Sequence, residues 1–360
     1  MWRAGDRHRP RRDAHRGCHV DPGSHPVPTP ATGGVTVRVL VTGMGGELGT
    51  RVAQLLEARS EVDEIVGCDF VPPRRRLRRA EFRRINPHHR ERLRDFVTDF
   101  APTHVAHLGV YEPASRSTPH QAAKRTELTT MVALSAAARA GALEYVVVRS
   151  GLEIYGVRSS SFTRATVPDE SVPPAPTSPF GASLLQVETV AAGLRHRHGI
   201  KVGALRYAPV VGSHVPSPLG RLLRLPAVPV DAFADPPFSL LHPEDAAHAM
   251  AAAMFGSFDG PVNVVGPGAT SPWQAARLGG RVPVPVLPPL WTAASPVVEF
   301  FGAAIAPHVV ELLRHGCVGA GGRALDELGI DRPRPTQQVL QELFDWAEIV
   351  PIAGARESAA

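Results

Sequence analysis

Three glycines at a regular spacing are the clearest sign of a ligand-binding site in this sequence. Gly43, Gly46 and Gly49 follow the apolar run 37–42 and precede an amphipathic segment. In such a turn the first glycine permits a tight strand-to-helix reversal, the second lets the backbone approach a pyrophosphate, and the third lets the helix pack closely on the strand. The N–H groups that begin the helix then face the phosphates. The spacing therefore predicts a dinucleotide-binding turn.

An acidic residue follows at the distance that this turn requires. Asp69 ends the apolar run 64–69, where a carboxylate can accept both hydroxyls of an adenosine ribose. The same carboxylate would repel a 2′-phosphate, whereas Arg74–Arg76 could hold one. We therefore expect NAD as the cofactor, with NADP less favoured. The residues expected to contact it are Gly43, Met44, Gly46, Glu47, Leu48, Gly49, Asp69, Phe70, Leu108 and Gly109.

The elements that would position these residues alternate along the chain. Apolar runs predict strands at 37–42, 64–69, 104–109, 143–149, 201–207 and 261–265. Helical patterns lie near 47–58, 90–99, 120–140, 181–197 and 242–254. This alternation indicates an α/β fold with a Rossmann-type doubly wound parallel sheet. Proline-rich stretches predict loops at 157–177 and 214–240.

The same order of elements predicts how the chain divides. Residues 35–212 are expected to form the nucleotide-binding domain, with its sheet completed by the strand near 261–266. Residues 213–334 would form a smaller substrate or partner lobe, and 335–360 a C-terminal helix and tail. Residues 1–34 lack apolar periodicity, which predicts a disordered basic tail. That tail is interpreted as the product of an upstream start, with a nucleic-acid or membrane-seeking arm as the alternative.

Further segments carry a family resemblance. They read THVAHLGV at 103–110, YVVVRSGLEIYG at 145–156, LRYAPVVG at 205–212 and ALDELGIDRPRP at 324–335. With the Thr42-Gly43 turn, they resemble the NAD-dependent epimerase/dehydratase family, the extended branch of the short-chain dehydrogenase/reductase superfamily. The resemblance runs from about Val35 to about Arg334. It implies NAD binding and a lobe that covers a small-molecule ligand such as a nucleotide sugar.

The resemblance breaks at the catalytic positions. That family carries a Tyr-x-x-x-Lys pair within a Ser-Pro-Tyr-Gly-Ala-Ser-Lys segment, where this chain has Phe180 and Leu184. The tyrosine hydroxyl exchanges a proton with the substrate, and the lysine lowers the pKa of that hydroxyl. The family's Ser or Thr falls on Gly151, and no Tyr-x-x-x-Lys occurs elsewhere in the sequence. The resemblance therefore leaves the catalytic residues of this chain unassigned.

Two functions remain open at this point. Loss of both proton-transfer residues favours an NAD-binding protein with a binding or regulatory output. The alternative is an atypical NAD-dependent sugar-nucleotide epimerase/dehydratase or reductase that uses other donors. The candidate donors are Ser150, Tyr155, Tyr111 and Glu153, of which Tyr155 is expected to be structural. Basic residues available to a ligand diphosphate in the lobe are Arg221, Arg224 and Arg277.

The charge distribution and composition limit the classes of partner that we expect for this protein. Positive charge is concentrated in two segments: 1–34 has six Arg against three Asp, and 71–95 has ten Arg against three acidic residues. The rest of the chain is therefore net negative. Because the protein is not basic as a whole, we expect no nucleic-acid partner. The three cysteines and the scattered histidines lack metal-ligand spacing, which predicts no metal and a cytoplasmic location. The interrupted apolar stretch 296–313 predicts a core or dimer-contact helix rather than a membrane span, and leaves a homodimer open.

Overall fold

The computed structural model describes residues 36–114, 117–157, 167–256, 258–291 and 305–345. The predicted tail at 1–34 and half of the apolar stretch 296–313, residues 296–304, lie outside these residues. Within them, no helix is long and apolar enough to span a bilayer.

Nine strands form two separate parallel sheets in the described residues. In chain order they are β1 (Arg38–Thr42), β2 (Glu64–Asp69), β3 (Glu81–Arg84), β4 (His104–His107), β5 (Tyr145–Gly151), β6 (Lys201–Tyr207), β7 (Ala227–Asp231), β8 (Gly260–Val264) and β9 (Val282–Val286). The large sheet has the order β3-β2-β1-β4-β5-β6-β8, and β7 pairs with β9. This order confirms the predicted doubly wound fold. Its direction reverses between β1 and β4, so a crevice is expected at the carboxyl ends of those two strands.

Ten helices accompany the sheets in the described residues. They are α1 (Glu47–Glu57), α2 (Arg90–Phe100), α3 (Pro119–Arg139), α4 (Pro179–His198), α5 (Pro218–Leu223), α6 (Pro243–Ala253), α7 (Pro272–Leu278), α8 (Pro307–His315), α9 (Gly322–Leu328) and α10 (Thr336–Phe344). One buried cluster joins the large sheet to α1, α6 and α9. A second joins the other face to α2, α3 and α4. The sheet is therefore covered on both faces, as a parallel sheet requires.

A third buried cluster belongs to the lobe. It unites the small sheet of β7 and β9 with α5, α7, α8 and α10. Phe238, Leu222 and Leu313 are fully buried at its centre. In α8, which is the described end of the stretch 296–313, Val309, Leu312 and Leu313 are buried, so this end packs into the core of the lobe.

Two sequence predictions about local structure were wrong. The stretch 214–240 is not all loop, because it contains α5 and β7. The helix α5 is short and opens where Ser217 Oγ accepts the N–H of Gly220 at 3.0 Å, and β7 includes Pro229, so neither gave a clear periodicity. The strand β3, inside the arginine-rich stretch 71–95, was also missed. Its side chains are mostly exposed, which leaves no apolar alternation to detect.

Candidate functional site

The main cleft lies at the carboxyl ends of β1, β2 and β4, the predicted crevice. It encloses a cavity of about 300 Å³. Its lining includes eight of the ten residues predicted to contact a cofactor: Gly43, Gly46, Glu47, Leu48, Gly49, Asp69, Phe70 and Leu108. The glycine turn and the acidic residue that were predicted separately therefore face one space.

The glycine turn has the backbone geometry that its sequence predicted. Gly43 has φ +72°, and a Cβ there would lie 2.5 Å from the carbonyl oxygen of Leu108. A Cβ on Gly49 would lie 2.1 Å from the carbonyl oxygen of Gly43, so that position also requires glycine. Gly46 differs, because a Cβ there would have only one neighbour, at 3.4 Å. The space beside Gly46 is open, and no side chain caps α1, whose first N–H groups remain available to an anion.

The other two predicted contact residues, Met44 and Gly109, are not part of the cavity lining. Met44 is fully buried, and its side chain occupies the position that a Cβ on Gly67 would take. The N–H of Gly109 donates to Thr42 Oγ1 at 3.2 Å. Thr42 Oγ1 also lies 2.8 Å from Nδ1 of the buried His107. These residues support the turn from behind.

Asp69 lies at one end of the cleft beside two aromatic rings. Its carboxylate accepts the N–H of Phe70 at 2.7 Å and the hydroxyl of Tyr111 at 3.3 Å. Burial raises the pKa of Asp69 to about 6. The rings of Phe70 and Tyr111 are 5.5 Å apart, and the guanidinium of Arg125 lies 5.1 Å from the centre of the Phe70 ring. Tyr111, a candidate proton donor, is therefore engaged with Asp69.

The arginines at 74–76, which could have held the 2′-phosphate of NADP, bond to α1 instead of lining the cleft. Arg75 Nη2 lies 3.4 Å from Glu47 Oε1. Arg74 and Arg76 use backbone groups to bond α1, and none of these three arginines lines the cavity. Asn86, two residues beyond β3, is exposed, and its Oδ1 accepts the N–H of His88 at 3.0 Å. The arginines that would have favoured NADP are thus not placed in this cleft.

Glu47 introduces a negative charge where the phosphates are expected. Its side chain is only 4% exposed, and Arg51 Nε lies 2.7 Å from Oε1. Arg75 is a second cation on the same oxygen. Arg51 also bonds Glu244 at 2.9 Å, which links the turn to α6. Two guanidinium groups offset the Glu47 charge, so the turn still fits a pyrophosphate.

The lobe supplies one of its three predicted basic residues to the cleft. Arg221 lines the cavity, near Val215 and Ser217. Arg224 instead donates to the carbonyl of Gly220 at 3.2 Å. Arg277 lies over the ring of Trp273, outside the lining. Two arginines that sequence reasoning did not single out, Arg125 and Arg149, line the cleft from the large domain.

A small chamber of about 30 Å³ adjoins the cleft. The two cavities share Glu112, Arg149, Val210 and Ser217 in their linings. The chamber's other walls include Gly151, Phe180 and Leu184, the three positions at which the sequence departs from the resembled pattern. Phe180 and Leu184 are 5% and 1% exposed, so α4 buries both side chains against the sheet.

Glu153 occupies the space beside Gly151. A Cβ on Gly151 would lie 2.3 Å from Glu153 Oε2 and 3.1 Å from Leu184 Cδ1. A serine there would therefore displace the glutamate. Desolvation of the carboxyl raises the pKa of Glu153, which favours its neutral form. The space beside Gly151 is thus filled by Glu153 and Leu184.

Two other candidate donors are placed differently. Tyr155 is buried, and its hydroxyl donates to Asn263 Oδ1 at 2.8 Å and accepts from Arg206 Nη1 at 2.9 Å. This arrangement agrees with the expectation that Tyr155 is structural. Ser150 is 2% exposed, and its hydroxyl has no hydrogen-bond partner among the described residues.

The chamber contains one ionisable pair that sequence reasoning missed. His308, the second residue of α8, places Nε2 at 3.0 Å from Glu112 Oε1. Its ring centre lies 4.8 Å from that of Phe180. His308 is 6% exposed, and Nδ1 has no hydrogen-bond partner in the described part of the chain. The two residues are 196 positions apart in sequence. The sequence feature that could have pointed to this pair was His308 itself, a histidine that interrupts the apolar stretch 296–313.

Metal chemistry has no ligand set in the described residues. No group of three or more His, Cys, Asp or Glu side chains is placed there to hold an ion. Cys68 is buried within β2, and desolvation raises its pKa to about 12, as expected for a core cysteine.

Comparison with known proteins identifies relatives over most of the chain. Residues 39–264 match the family model described as NAD dependent epimerase/dehydratase family. Over 262 residues the chain is 32% identical to an uncharacterized protein of Mycobacterium tuberculosis strain H37Rv, covering 69% of this chain and 67% of that protein. An uncharacterized protein of Mycobacterium bovis matches with the same identity and coverage.

Solved structures share the fold. A UDP-glucose 4-epimerase of Thermus thermophilus in complex with NAD has a TM-score of 0.67 at 22% identity and covers 86% of this chain and 98% of its own. The UDP-glucose 4-epimerase of Thermotoga maritima with UDP-glucose has a TM-score of 0.66 at 19% identity, with coverages of 86% and 97%. A UDP-glucuronic acid 4-epimerase of Bacillus cereus scores 0.66 at 18% identity, with coverages of 86% and 98%.

Proposed function

We propose a function from one premise: the chain belongs to the NAD dependent epimerase/dehydratase family. In this proposal it binds NAD and a small-molecule ligand in one cleft, and its output is binding or regulation rather than the family's Tyr-Lys chemistry. The observation that carries the proposal is the contrast within the cleft. Gly46 and Asp69 line an open cavity, whereas Phe180 and Leu184 are packed side chains without a proton to transfer.

The turn and Asp69 would hold the two ends of the adenosine diphosphate. The N–H groups that begin α1, left uncapped beside Gly46, would donate to the pyrophosphate. Asp69 would accept the ribose hydroxyls in place of the bond that it now receives from Tyr111. NAD, when bound, supplies a hydride acceptor or donor. The chain's own residues bind it, orient it and exclude water.

A nucleotide sugar is the ligand class that we propose for the remaining part of the cleft. Arg149 and Arg221 line that part and could bind a diphosphate through charge-assisted hydrogen bonds. Solved structures of the same fold include one with UDP-glucose and one with UDP-glucuronic acid and NAD. The lobe core of α5, β7 and α8 would form the wall on that side.

Calorimetric titration of the purified protein with NAD and, in parallel, with NADP tests this function. We expect NAD to bind more tightly, because the buried Asp69 carboxylate disfavours a 2′-phosphate and Arg74–Arg76 lie outside the cavity lining. Tighter binding of NADP, or no binding of either dinucleotide, would contradict the proposal.

A second candidate function is catalysis by different residues. One observation favours it: the His308–Glu112 pair stands beside Phe180, at the chamber where the family's proton carrier would act. Of the donors expected from sequence, Tyr111 and Tyr155 are engaged elsewhere, whereas Ser150 and Glu153 line the same chamber as His308. The His308–Glu112 pair differs from those two in joining an imidazole to a carboxylate that orients it.

A further inference from the structure

The histidine at the start of α8 is held in a defined orientation. Its Nε2 contacts the Glu112 carboxylate at 3.0 Å, and its ring packs on Phe180 at 4.8 Å. The preceding Pro307 opens the helix and fixes where the histidine emerges. Rings constrained on one edge by a carboxylate and on one face by an aromatic ring have little rotational freedom. His308 is therefore a preorganised side chain.

The contact with Glu112 also determines which nitrogen can accept a proton. A carboxylate accepts hydrogen bonds, so a neutral His308 carries its hydrogen on Nε2 and leaves the Nδ1 lone pair free. Nδ1 is buried and has no hydrogen-bond partner in the described residues. A buried polar atom left unpaired destabilises the folded protein. Such an atom calls for an explanation, and a hydroxyl from a bound ligand would satisfy it.

The position of the pair connects it to the cofactor cleft. Glu112 lines both the large cavity and the small chamber, whereas His308 lines the chamber with Phe180 and Leu184. The pair therefore occupies the wall in which the resembled Tyr-Lys pair is missing. Glu153 extends the same wall, with its pKa raised by desolvation.

We propose that His308 is the proton carrier of this cleft, that Glu112 is its positioning residue, and that the group it serves is a secondary alcohol or ketone of a polar small molecule. The inference rests on the NAD binding proposed above and develops the second candidate function. It assigns proton transfer to a side chain from the lobe rather than to α4.

The step balances as an alcohol oxidation. The substrate O–H bond breaks and its proton passes to His308 Nδ1, while the electron pair of that O–H bond forms the carbonyl. NAD, held by the glycine turn and Asp69, would supply the acceptor for the hydrogen on the same carbon and its bonding electrons. The imidazolium that forms is stabilised by the Glu112 carboxylate, and the reverse step returns the proton.

The test mixes NAD-loaded protein with UDP-glucose and follows the near-ultraviolet absorbance of the reduced nicotinamide. Native protein is compared with His308→Asn, Glu112→Gln and the surface control His248→Asn, after calorimetry has established that each variant binds NAD. His248 is exposed, and among the described residues it bonds only the carbonyl of Glu244. Neither residue lines the chamber, so this variant should leave the chamber unchanged. His308→Ala is also assayed with and without added imidazole.

We expect native protein and the control to form reduced cofactor at equal rates. His308→Asn should slow this formation by about 10²–10⁴-fold, the usual contribution of general acid–base catalysis. Glu112→Gln should change the pH profile of the rate, and imidazole should restore His308→Ala. A native rate in His308→Asn would overturn the proposal, as would NAD-loaded native protein that UDP-glucose cannot reduce. Because NAD affinity is measured first, these failures differ from a failure of cofactor binding.

Nitrogen NMR of protein labelled at histidine gives a readout that does not depend on turnover. The signal missing from His308→Asn identifies the ring of His308. We expect that ring to carry hydrogen on Nε2 in native protein and to lose this preference in Glu112→Gln. Hydrogen on Nδ1 in the neutral native ring would overturn the assigned orientation.

Discussion

The cleft and its adjoining chamber differ in what forms their walls. We call the cavity beside Gly46 and Asp69 the cofactor half, and the small chamber beside Phe180 and Leu184 the chemical half. The cofactor half is made largely of backbone: glycines at 43, 46 and 49 and the uncapped start of α1, with the carboxylates of Glu47 and Asp69 beside them. The chemical half is made of side chains that meet from α4, β5 and α8. Backbone geometry survives most changes of side chain, whereas a proton-transfer site does not. The first half can therefore keep its role while the second is rebuilt.

The side chains of the chemical half also contact one another. Glu153 takes the space next to Gly151, Leu184 contacts the same space, and His308 packs on Phe180. A side chain added at Gly151 would meet Glu153 Oε2, which now fills that space.

The largest expected effect falls on the backbone half. Gly46→Val should abolish NAD binding, because Cβ at this position is tolerated by the protein but the added methyl groups enter the space through which a pyrophosphate approaches. Gly322→Val is the matched control, since a Cβ there meets nothing within 4 Å and the residue begins α9. Calorimetry of both variants checks the result. Native affinity in Gly46→Val would refute the assigned turn.

The next effect concerns the charge at Asp69. Asp69→Asn should weaken NAD binding by about 10–100-fold, through loss of charge-assisted hydrogen bonds to the ribose. The pKa of Asp69 is raised to about 6, so native affinity should be constant above that pH and fall as pH drops through it. Calorimetry from about pH 5 to pH 8 tests this. The variant should lose this pH dependence, and a persisting dependence would show that another group is responsible.

Glu47 offers a smaller test of the cofactor half. Glu47→Gln should strengthen NAD binding by about fivefold, since one negative charge beside the pyrophosphate disappears and Arg51 and Arg75 lose their partner. The gain should shrink at high salt. Weaker binding in the variant would mean that the Glu47 carboxylate itself contributes to holding the cofactor.

The interlocking of the chemical half can be measured by a double-mutant cycle. Gly151→Ser should destabilise the protein by about 1 kcal/mol, because the new side chain must displace Glu153 Oε2, the mobile end of a side chain. In a Glu153→Ala background the same change should cost less. Denaturant unfolding of the four proteins provides the free energies. Equal losses in both backgrounds would mean that the two positions do not compete for space.

The difference between the halves also explains what the sequence could predict. Gly43, Gly49 and Asp69 were identified because their spacing along one strand-turn-helix unit is fixed by local backbone geometry. The hypothesis that Phe180 and Leu184 stand in place of the family's Tyr-Lys pair came from a resembled segment. The His308–Glu112 pair was not visible, since it depends on how the lobe packs against the loop after β4. Similarly, β3 was missed because its exposed residues carry no apolar pattern.

The central claim is that the cleft retains cofactor binding without the family's proton-transfer pair. The most direct measurement is steady-state turnover of UDP-glucose by native protein that calorimetry has shown to be saturated with NAD, alongside the double variant Phe180→Tyr, Leu184→Lys. The account predicts NAD binding with turnover well below the usual enzymatic range of about 1–10³ s⁻¹. A protein that takes up no NAD would contradict it, as would native turnover within that range that His308→Asn leaves unchanged.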